Sequence, residues 1–547
     1  VTMGVEPFSQ ANSLNQTIIE VTDDFTMFLG SHSLTIGTHN EFYSSANVFF
    51  PWYFGNYLFG SVDDFEKGTP FGYINRYSTD VAKYGKTPTA NFASMQLGLY
   101  VQDEWDVSKL LRITMGVRGD MFLLPTQPYL NPAAQQAFGK ATNVVPKAAL
   151  LIAPRVGFDL DLSDGNRQTK LRGGSGMFNG RSPLVWLSNQ YSNTGVDIAT
   201  NFIFDGSVTG ARYPGQFMNP NNPPAQQSGL TPGNYFATVN FIDPNFRLPQ
   251  TWRSNIAFEQ QLPLGFLASV EGIYSKLFNQ PLYQNLRLGS STINSVDGRP
   301  IFKRDGGTGA VAGSFGDAFY LTNTQEGYQF NIVAQIQKPI GYTGVKATDE
   351  ENQVWKNFGM NLAYTYGESW DVNSNPGFIA DENFFVPSVD PNKLPLTRSV
   401  FDIPHRIVAF ASYRFQYGTT ESPFATTVSL RYEGRSGRTF SYVYNGDPNN
   451  AAGLFGEPVN QALFFVPRDR SQVSMTDAGW NALNTFITND PVLSQYRGKI
   501  VDRNTGREPW VNELDLLVAQ DIPTGVGRVQ LTVNLFNVLN LLNPAWG

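Results

Sequence analysis

The sequence contains no cysteine and only three histidines among its 547 residues. Without cysteine the chain has no disulfide framework, no thiolate metal site and no cysteine nucleophile. The histidines, His32, His39 and His405, are too scattered along the sequence to predict a histidine-based metal cage. Lysine and arginine number 39 against 46 aspartates and glutamates, and the net charge is −7. The chain therefore lacks the basic surface with which a duplex nucleic-acid binder neutralises phosphates, and no nucleic-acid partner is predicted.

Charged residues are scarce, at 16% of the chain, against roughly 25% in an ordinary soluble domain. The mean hydropathy is nevertheless only −0.25, and no apolar run reaches the roughly 18 residues that a transmembrane helix needs. The chain begins at Val1 without a basic and apolar export signal, so we expect a processed or partial chain. This composition is typical neither of a soluble protein nor of a helical membrane protein.

Apolar and polar residues alternate with period two over segments of about ten residues, the pattern of a two-faced strand. In residues 93–105, Leu97, Leu99 and Val101 fall on one face, and Gln96 and Gln102 fall on the other. About 14 segments are predicted as strands on this basis. They are residues 17–29, 33–49, 92–105, 111–122, 151–162, 168–178, 252–262, 266–276, 326–338, 358–370, 404–415, 424–435, 511–520 and 528–537.

The joints between these segments alternate between short turns, such as 106–110 and 263–265, and long loops, such as 179–251 and 436–510. The one exception is the joint after Lys338, at residues 339–357, which is long where a short turn is expected. Short periplasmic turns and long extracellular loops are typical of outer-membrane barrels, whereas structureless loops beyond about 15 residues are uncommon in compact soluble domains. We therefore predict an all-β fold, a transmembrane antiparallel β-barrel. Its two-faced strands would explain both the modest hydropathy and the low charge. Five aromatic residues suit girdles at the membrane interfaces: Trp105, Tyr364, Tyr366, Tyr413 and Tyr432.

Several segments resemble TonB-dependent outer-membrane receptors. LGLYVQDEWDVSKLLRITMGVRGD at residues 97–120 resembles a hairpin of that family, and VQLTVNLFNVLNLLNPAWG at 529–547 is similar to a late barrel strand with its N-L-F-N core. APRVGFDLDL at 153–162 and LPQTWRSNIAFEQQLPLG at 248–265 resemble the Oar-like branch, and the matching pieces are collinear over most of the chain.

The resemblance implies a receptor in the outer membrane of a Gram-negative bacterium that takes up a bulky solute with energy supplied through TonB. It implies no enzymatic activity and no cofactor. The expected partners are outer-membrane lipid and lipopolysaccharide, the TonB complex through a plug domain, and envelope proteins. The rival hypothesis is a structural or adhesive barrel of the same lineage that presents its loops to partners. A soluble all-β carbohydrate-active enzyme is a third, weaker hypothesis.

Family members carry a plug domain and a TonB box before the barrel, and nothing in this sequence resembles either. Transporter barrels of this class have about 22 strands around a plugged lumen, whereas about 14 are predicted here. We therefore expect residues 1–547 to be a partial barrel, without the plug, the first strands and the last strand.

Eight charged residues on the polar sides of predicted strands are expected to line the lumen. They are Glu104, Arg112, Arg118, Asp120, Arg155, Asp159, Arg431 and Glu433. Pairing across the turn at 106–110 is expected to bring Glu104 near Arg112. Such residues either contact a plug or satisfy one another as cross-strand ion pairs, and the second interpretation is the simpler one.

An aromatic loop at residues 49–65 is the candidate for ligand contact, through Trp52, Tyr53, Phe54 and Tyr57. Exposed aromatic rings stack on sugars or peptides, but packing of a large loop on its neighbours is the competing interpretation and the one we favour.

Two further patterns are weighed and not adopted. Asp447, Asn449 and Asn450 offer oxygen ligands of the kind that calcium prefers, yet such clusters are ordinarily turns, so they remain candidates and no metal site is predicted. Adjacent carboxylates such as Asp63 and Asp64 do not predict acid/base catalysis, because neighbouring strand residues point to opposite faces.

Overall fold

Fourteen long strands pair with one another in sequence order to form a single antiparallel sheet. The computed structural model describes residues 3–68, 70–164, 167–181, 184–204, 237–308, 315–341, 354–419, 423–451 and 461–543. No helix in these ranges is long and apolar enough to cross a membrane. The strands are β1 Asn12–Leu29, β2 His32–Phe49, β3 Ala90–Asp106, β4 Leu111–Leu123, β5 Leu150–Asp161, β6 Thr169–Asn179, β7 Gln250–Gln261, β8 Leu267–Phe278, β9 Gly327–Lys338, β10 Phe358–Asp371, β11 His405–Gly418, β12 Pro423–Arg435, β13 Val511–Thr524 and β14 Gly527–Leu535.

Every predicted strand is present, with ends displaced by a few residues; β1, for example, begins at Asn12 rather than at residue 17. The first hairpin shows why the chain turns where it does. Only two residues connect β1 to β2, and Gly30 there adopts a φ of 64°, which glycine reaches without the steric cost that a Cβ brings. The sequence prediction of an all-β antiparallel fold is confirmed.

The two faces of the sheet differ in chemistry, and the uniform register allows each to be followed from β1 to β14. Leu99 of β3 pairs with Gly119 of β4, and Val101 pairs with Val117. Leu99 is 65% exposed, and we call its side of the sheet the apolar face and the other side the charged face. The apolar face also exposes Val156, Ile256, Val270, Ile332, Leu430 and Val533, and it carries all five aromatic residues predicted as girdles. An exposed apolar surface of this extent is suited to lipid rather than to water.

Charges on the apolar face are few and lie close to strand ends, with one exception. Asp103, near the turn after β3, contacts the ring of His32, with Oδ2 2.7 Å from Nδ1. Glu368 near the end of β10 accepts a hydrogen bond of 3.0 Å from the indole of Trp370. The exception is Asp23, which lies mid-strand on β1 opposite Thr38.

Strands β1 and β14 are the edges of the sheet, and within the described residues they do not pair with each other. Nearly all side chains of β1 and all of β14 are exposed. An unpaired backbone edge is expensive in a bilayer because lipid offers it no hydrogen bonds.

The long loops at one end of the sheet carry their own short elements. Helices span Val62–Glu66, Val81–Tyr84, Pro132–Phe138, Leu184–Ser192, Ala380–Phe384 and Asp477–Asn489, and a further helix after β14 spans Leu539–Leu542. Strands span Asn56–Leu58, Gly72–Ser78, Ile198–Phe204, Ala237–Ile242, Gln280–Asn285, Ser291–Ile293, Pro300–Phe302, Phe315–Thr324, Thr397–Arg398, Thr439–Phe440, Phe465–Val466, Lys499–Ile500 and Gly506–Arg507. The 3-10 turns in these loops are Arg470–Gln472 and Leu493–Tyr496, whereas Pro263–Gly265 forms the short turn between β7 and β8 at the other end.

Candidate ligand-binding cavity beneath the packed loops

The long loops pack together and share a buried apolar core, which we call the loop layer. Most of the core residues come from three different loops, 180–249, 279–326 and 372–404, and are joined by side chains at strand ends. They include Phe92, Leu187, Tyr191, Phe246, Tyr283, Phe302, Phe319, Phe384 and Phe385. Because burial of large apolar side chains is the main stabilising contribution in a folded chain, the described residues of these loops form one packed layer rather than a set of independent loops.

The helix Leu184–Ser192, which we call the loop helix, connects this layer to the charged face of the sheet through packing and hydrogen bonds. Tyr191 stacks on Phe92 of β3, with ring centroids 4.6 Å apart, and its hydroxyl donates a hydrogen bond of 2.7 Å to the carbonyl of Thr126. The amide nitrogen of Asn47 on β2 donates to Ser188 Oγ at 2.8 Å. Burial raises the pKa of Tyr191, which keeps its hydroxyl a hydrogen-bond donor. The charged face is thus covered by protein at its loop end, whereas the apolar face remains exposed.

Two buried arginines connect loops that are far apart in sequence. Arg299 is 1% exposed; its Nη1 donates to Asn449 Oδ1 at 2.9 Å and its Nη2 to the carbonyl of Leu463 at 2.8 Å. Arg503 donates from Nη2 to the carbonyl of Val372 at 2.7 Å. A guanidinium offers five donors in a fixed geometry, so each arginine satisfies several loop acceptors at once.

A cavity of about 360 Å³ lies between the loop helix and strands β1 to β3. Its walls are apolar for the most part, with a few polar side chains between them. The lining includes Leu14, Ile18, Phe92, Phe122, Leu184 and Leu248, together with Tyr43, Ser45, Gln96 and Arg181. Ser45 is 5% exposed, and its hydroxyl has no hydrogen-bond partner among the described residues. Mostly apolar walls with a few placed polar groups are the usual composition of a small-molecule site.

The predicted aromatic loop lies apart from this cavity and packs mainly on its own neighbours. The ring of Tyr57 lies 4.7 Å from that of Tyr73, and the guanidinium of Arg76 lies 5.2 Å from the ring of Trp52. Tyr53 and Phe54 meet edge to face at 5.1 Å. Phe54 is the most exposed of the four candidates. A role of this loop in ligand contact stays a prediction.

The register places all eight predicted lumen charges on the charged face, where most of them form ion pairs with one another or with neighbours. Arg118 Nη2 lies 2.8 Å from Asp120 Oδ1, and Arg431 Nη2 lies 2.8 Å from Glu433 Oε2. Asp159 stands opposite Arg172 in the register, and Arg155 opposite Gly116. That this face lines a lumen stays a prediction.

The direct ion-pair partner of Arg112 is Asp106: the Nε of Arg112 donates to Asp106 Oδ1 at 2.7 Å. The register places Asp106 directly opposite Arg112 and Glu104 opposite Thr114. Glu104 lies on the same face two residues from Asp106, and its charge acts on Arg112.

The three calcium candidates use their side chains within the loop layer. The amide nitrogens of Asn449 and Asn450 donate to the carbonyls of Val389 and Phe302. Asp447 Oδ1 accepts a hydrogen bond of 3.0 Å from the amide of Ala451, as in an ordinary turn. Asn449 Oδ1 already accepts a hydrogen bond from the guanidinium of Arg299. The arginine therefore occupies the place from which a calcium ion would contact that oxygen.

Sequence reasoning missed the loop helix, Ser45 and Arg181. Arg181 belongs to the loop that follows β6, yet it contacts Glu41 of β2. No local periodicity or spacing signals a contact between residues so far apart in sequence, although a serine on a polar strand face is visible once the faces are assigned.

A sheet with one lipid-suited face, one charged face and its longest loops at one end defines the class of the protein: the wall of a transmembrane antiparallel β-barrel. A family model described as outer membrane beta barrel domain matches residues 2–545. The chain belongs to this family, and its location is the outer membrane.

Three solved structures of transporters and receptors align with nearly the whole of this chain at low sequence identity. The FrpB iron transporter from Neisseria meningitidis aligns with 11% identity and a TM-score of 0.44 over 97% of this chain and 51% of its own. The outer membrane transporter YddB from Escherichia coli aligns with 12% identity and a TM-score of 0.45 over 96% of this chain and 53% of its own. The siderophore receptor PirA from Acinetobacter baumannii aligns with 9% identity and a TM-score of 0.45 over 96% of this chain and 51% of its own. The chain spans about half the length of these proteins, and the likeness concerns the fold alone. Comparison with curated proteins finds no match.

Proposed function

We propose that the chain is the larger part of the barrel of a TonB-dependent uptake receptor of the Oar-like branch, in the outer membrane of a Gram-negative bacterium. The proposal includes a plug domain outside residues 1–547 and further strands that pair with the edges β1 and β14. These edges support it, because only closure satisfies strand backbones in lipid. The bulky solute is bound at the loop end, and TonB supplies energy through the plug. No covalent chemistry takes place in the barrel.

The observation that carries the proposal is the cavity under the loop helix. A purely structural barrel has no need of a mostly apolar recess with an unpartnered buried hydroxyl on its inner side, since an unpaired buried polar group destabilises the fold. A solute that enters this space gains apolar contact from Phe92 and Leu248 and a hydrogen bond from Ser45. The walls come from strands and from the loop helix, so occupation of the cavity also changes the support of the loop layer.

The test uses the full-length gene product in its own host. Deletion of the gene and deletion of TonB should abolish uptake of the same solute from a panel of labelled ferric chelates, cobalamin, oligosaccharides and peptides. Ser45→Phe should fill the cavity and reduce that uptake. Ser33→Phe is the matched control, because Ser33 lies on the same strand and face but nearer the turn and outside the cavity lining. The proposal would be contradicted if no solute depended on TonB for its uptake. It would also be contradicted if the Ser45→Phe and Ser33→Phe variants took up the solute equally well.

A structural or adhesive barrel remains the second candidate, and exposed aromatic residues on the loop side favour it. Phe378 is 71% exposed and Phe401 67%, and exposed apolar side chains on an ordered surface are typical of docking sites when they form a contiguous patch. Deletion of residues 375–379 that spares uptake but removes a stable envelope partner, identified by crosslinking in intact cells, would favour this role.

A further inference from the structure

Glu20, His39 and Glu41 bring three metal-type donor groups together on the charged face of β1 and β2. Glu20 stands opposite Glu41 in the register, and His39 lies between them on the same face. His39 Nε2 is 2.8 Å from Glu41 Oε1, and His39 Nδ1 is 3.5 Å from Glu20 Oε1. One donor atom from each residue lies within 4.8 Å of the others. In the part of the chain that the structure describes, this is the only such group.

The buried carboxylate of the group is held in place. Glu41 is 1% exposed; its Oε2 accepts a hydrogen bond from the Tyr43 hydroxyl, and its Oε1 accepts one from Arg181. The Oγ1 of Thr22 lies 2.8 Å from His39 Nδ1 and helps to orient the ring. Hydrogen bonds of this kind fix the orientation of ligands in known metal sites. The hydroxyls of Tyr43 and Thr22 therefore hold Glu41 and His39 in position independently of Arg181.

The other two histidines show that this arrangement is specific to His39. His32 contacts a single carboxylate, that of Asp103, and lies on the apolar face close to a turn. His405 Nδ1 lies 2.8 Å from the hydroxyl of Tyr364. Among the described histidines, only His39 has a carboxylate next to each of its ring nitrogens.

In the part of the chain that the structure describes, the exposed carboxylate of the cluster, Glu20, forms no ion pair with a lysine or an arginine. Two carboxylates face one arginine, and that arginine contacts only the buried one, Glu41. Glu20 has a side chain that is 57% exposed, and its contacts are with the hydroxyl of Thr22 and the ring of His39. A divalent ion between the two carboxylates would balance both, and Arg181 would then be released from Glu41.

We propose that Glu20, His39 and Glu41 form a site for a divalent transition-metal cation, with Arg181 as an internal cation that competes for Glu41. One imidazole and two carboxylates are ligands that zinc accepts, whereas calcium and magnesium prefer sites made of oxygen atoms only. The bound ion would tie β1 to β2. Since Arg181 also lines the cavity, its release would couple ion binding to the solute cavity. The site itself does not depend on the proposed uptake function.

The test is isothermal titration of the full-length protein in detergent micelles with zinc sulfate after treatment with a chelator. The wild type should bind one zinc ion at this site. His39→Ala and Glu20→Gln should each weaken that binding at least about tenfold, as loss of a supporting group already does in known sites. His405→Ala is the matched control and should bind as the wild type does. Glu20→Gln is preferred to a change at Glu41, because Glu20 is exposed and its substitution leaves the buried contacts intact.

Arg181→Gln separates a metal site from a structural ion pair. If the arginine competes with the ion, its removal should tighten zinc binding, whereas an arginine that only stabilises the fold would leave the affinity unchanged or lower it. Far-UV circular dichroism should show equal strand content in every variant. The assignment is overturned if the wild type binds no zinc, if His39→Ala or Glu20→Gln binds as tightly as the wild type, or if Arg181→Gln fails to tighten binding.

Discussion

Placing a charge at Leu99 tests whether the apolar face of the sheet meets lipid. Leu99 is 65% exposed in the middle of β3, which would be an unusual place for a leucine in water. Leu99→Arg should destabilise the protein strongly in a bilayer, because the guanidinium would have to leave water or distort the membrane around it. Gln102→Arg on the same strand faces the other way, opposite Gly116, and should be mild.

The expected magnitude follows from the height of Leu99 in the membrane. Trp105 marks the interface at the turn end of β3, and it stacks on His32 at 5.3 Å. Six residues separate it from Leu99, about 20 Å along a strand at ~3.4 Å per residue. A strand tilt of ~40° reduces this to roughly 15 Å, close to half of an apolar band ~25 Å tall. Leu99 is therefore near the midplane, where an arginine on the lipid face costs about 2–4 kcal/mol.

The measurement is reversible urea unfolding of the full-length protein from lipid vesicles, followed by tryptophan fluorescence. Leu99→Arg should lower the free energy of unfolding by about 2–4 kcal/mol, and Gln102→Arg by less than about 1 kcal/mol, the usual limit for a surface change without a specific mechanism. Equal losses in the two variants would refute the assignment of faces. A loss at Leu99 that is the same in vesicles and in a lipid-free polymer would refute the membrane itself as the cause.

Three further predictions concern the loop layer, and hydrogen exchange measures each. Arg299→Ala should cost about 3–5 kcal/mol, because it leaves the carboxylate of Asp297, its ion-pair partner with a side chain only 8% exposed, buried without a countercharge; exchange should become faster in 463–466 but not in the β7–β8 hairpin. Tyr191→Phe should cost about 1–3 kcal/mol and loosen the loop helix, since the carbonyl of Thr126 loses its donor; unchanged exchange would contradict either contact. Burial raises the pKa of Asp197 to about 6 in the folded protein, because it favours the neutral carboxyl. The stabilisation that this protonation gives the fold is complete below the pKa of the unfolded chain, near ~3.9, and is lost as the pH rises through 6. Residues 194–198 should therefore exchange faster at pH 8 than at pH 4 after correction for intrinsic rates, and Asp197→Asn should remove the difference.

The sheet could be predicted from the sequence because alternate side chains of a strand in this fold face lipid and the polar side. The residue types therefore alternate along the sequence. Leu97, Leu99 and Val101 alternate with polar residues, and the same parity holds in the structure from β1 to β14. Turn chemistry fixed the hairpins to within a few residues, as Gly30 shows at the first turn. The alternation does not predict that Asp106 stands directly opposite Arg112, since the register of a hairpin depends on the turn conformation, which period two does not encode.

The candidate site could not be predicted in the same way. The cavity needs Arg181 and the loop helix, which lie far along the sequence from β2, and the loop core joins side chains of several loops. Such contacts follow from the order of strands around the sheet, which brings the loops side by side, and not from any local pattern. The histidine at position 39 illustrates this: in the sequence it is one of three scattered residues, and pairing of β1 with β2 alone places Glu20 beside it.

The absence of cysteine gives the buried arginines of the loop layer their importance. Long loops have a large conformational entropy, and many exported proteins restrict theirs with disulfides, which this chain cannot form. Arg299 and Arg503 take this role by chemistry that needs no oxidation: each donates several hydrogen bonds to acceptors on other loops, and each is nearly inaccessible to water. A buried guanidinium is stabilising only while all its partners stay in place. The loop layer should therefore loosen cooperatively, with several loops losing their contacts together rather than one loop at a time.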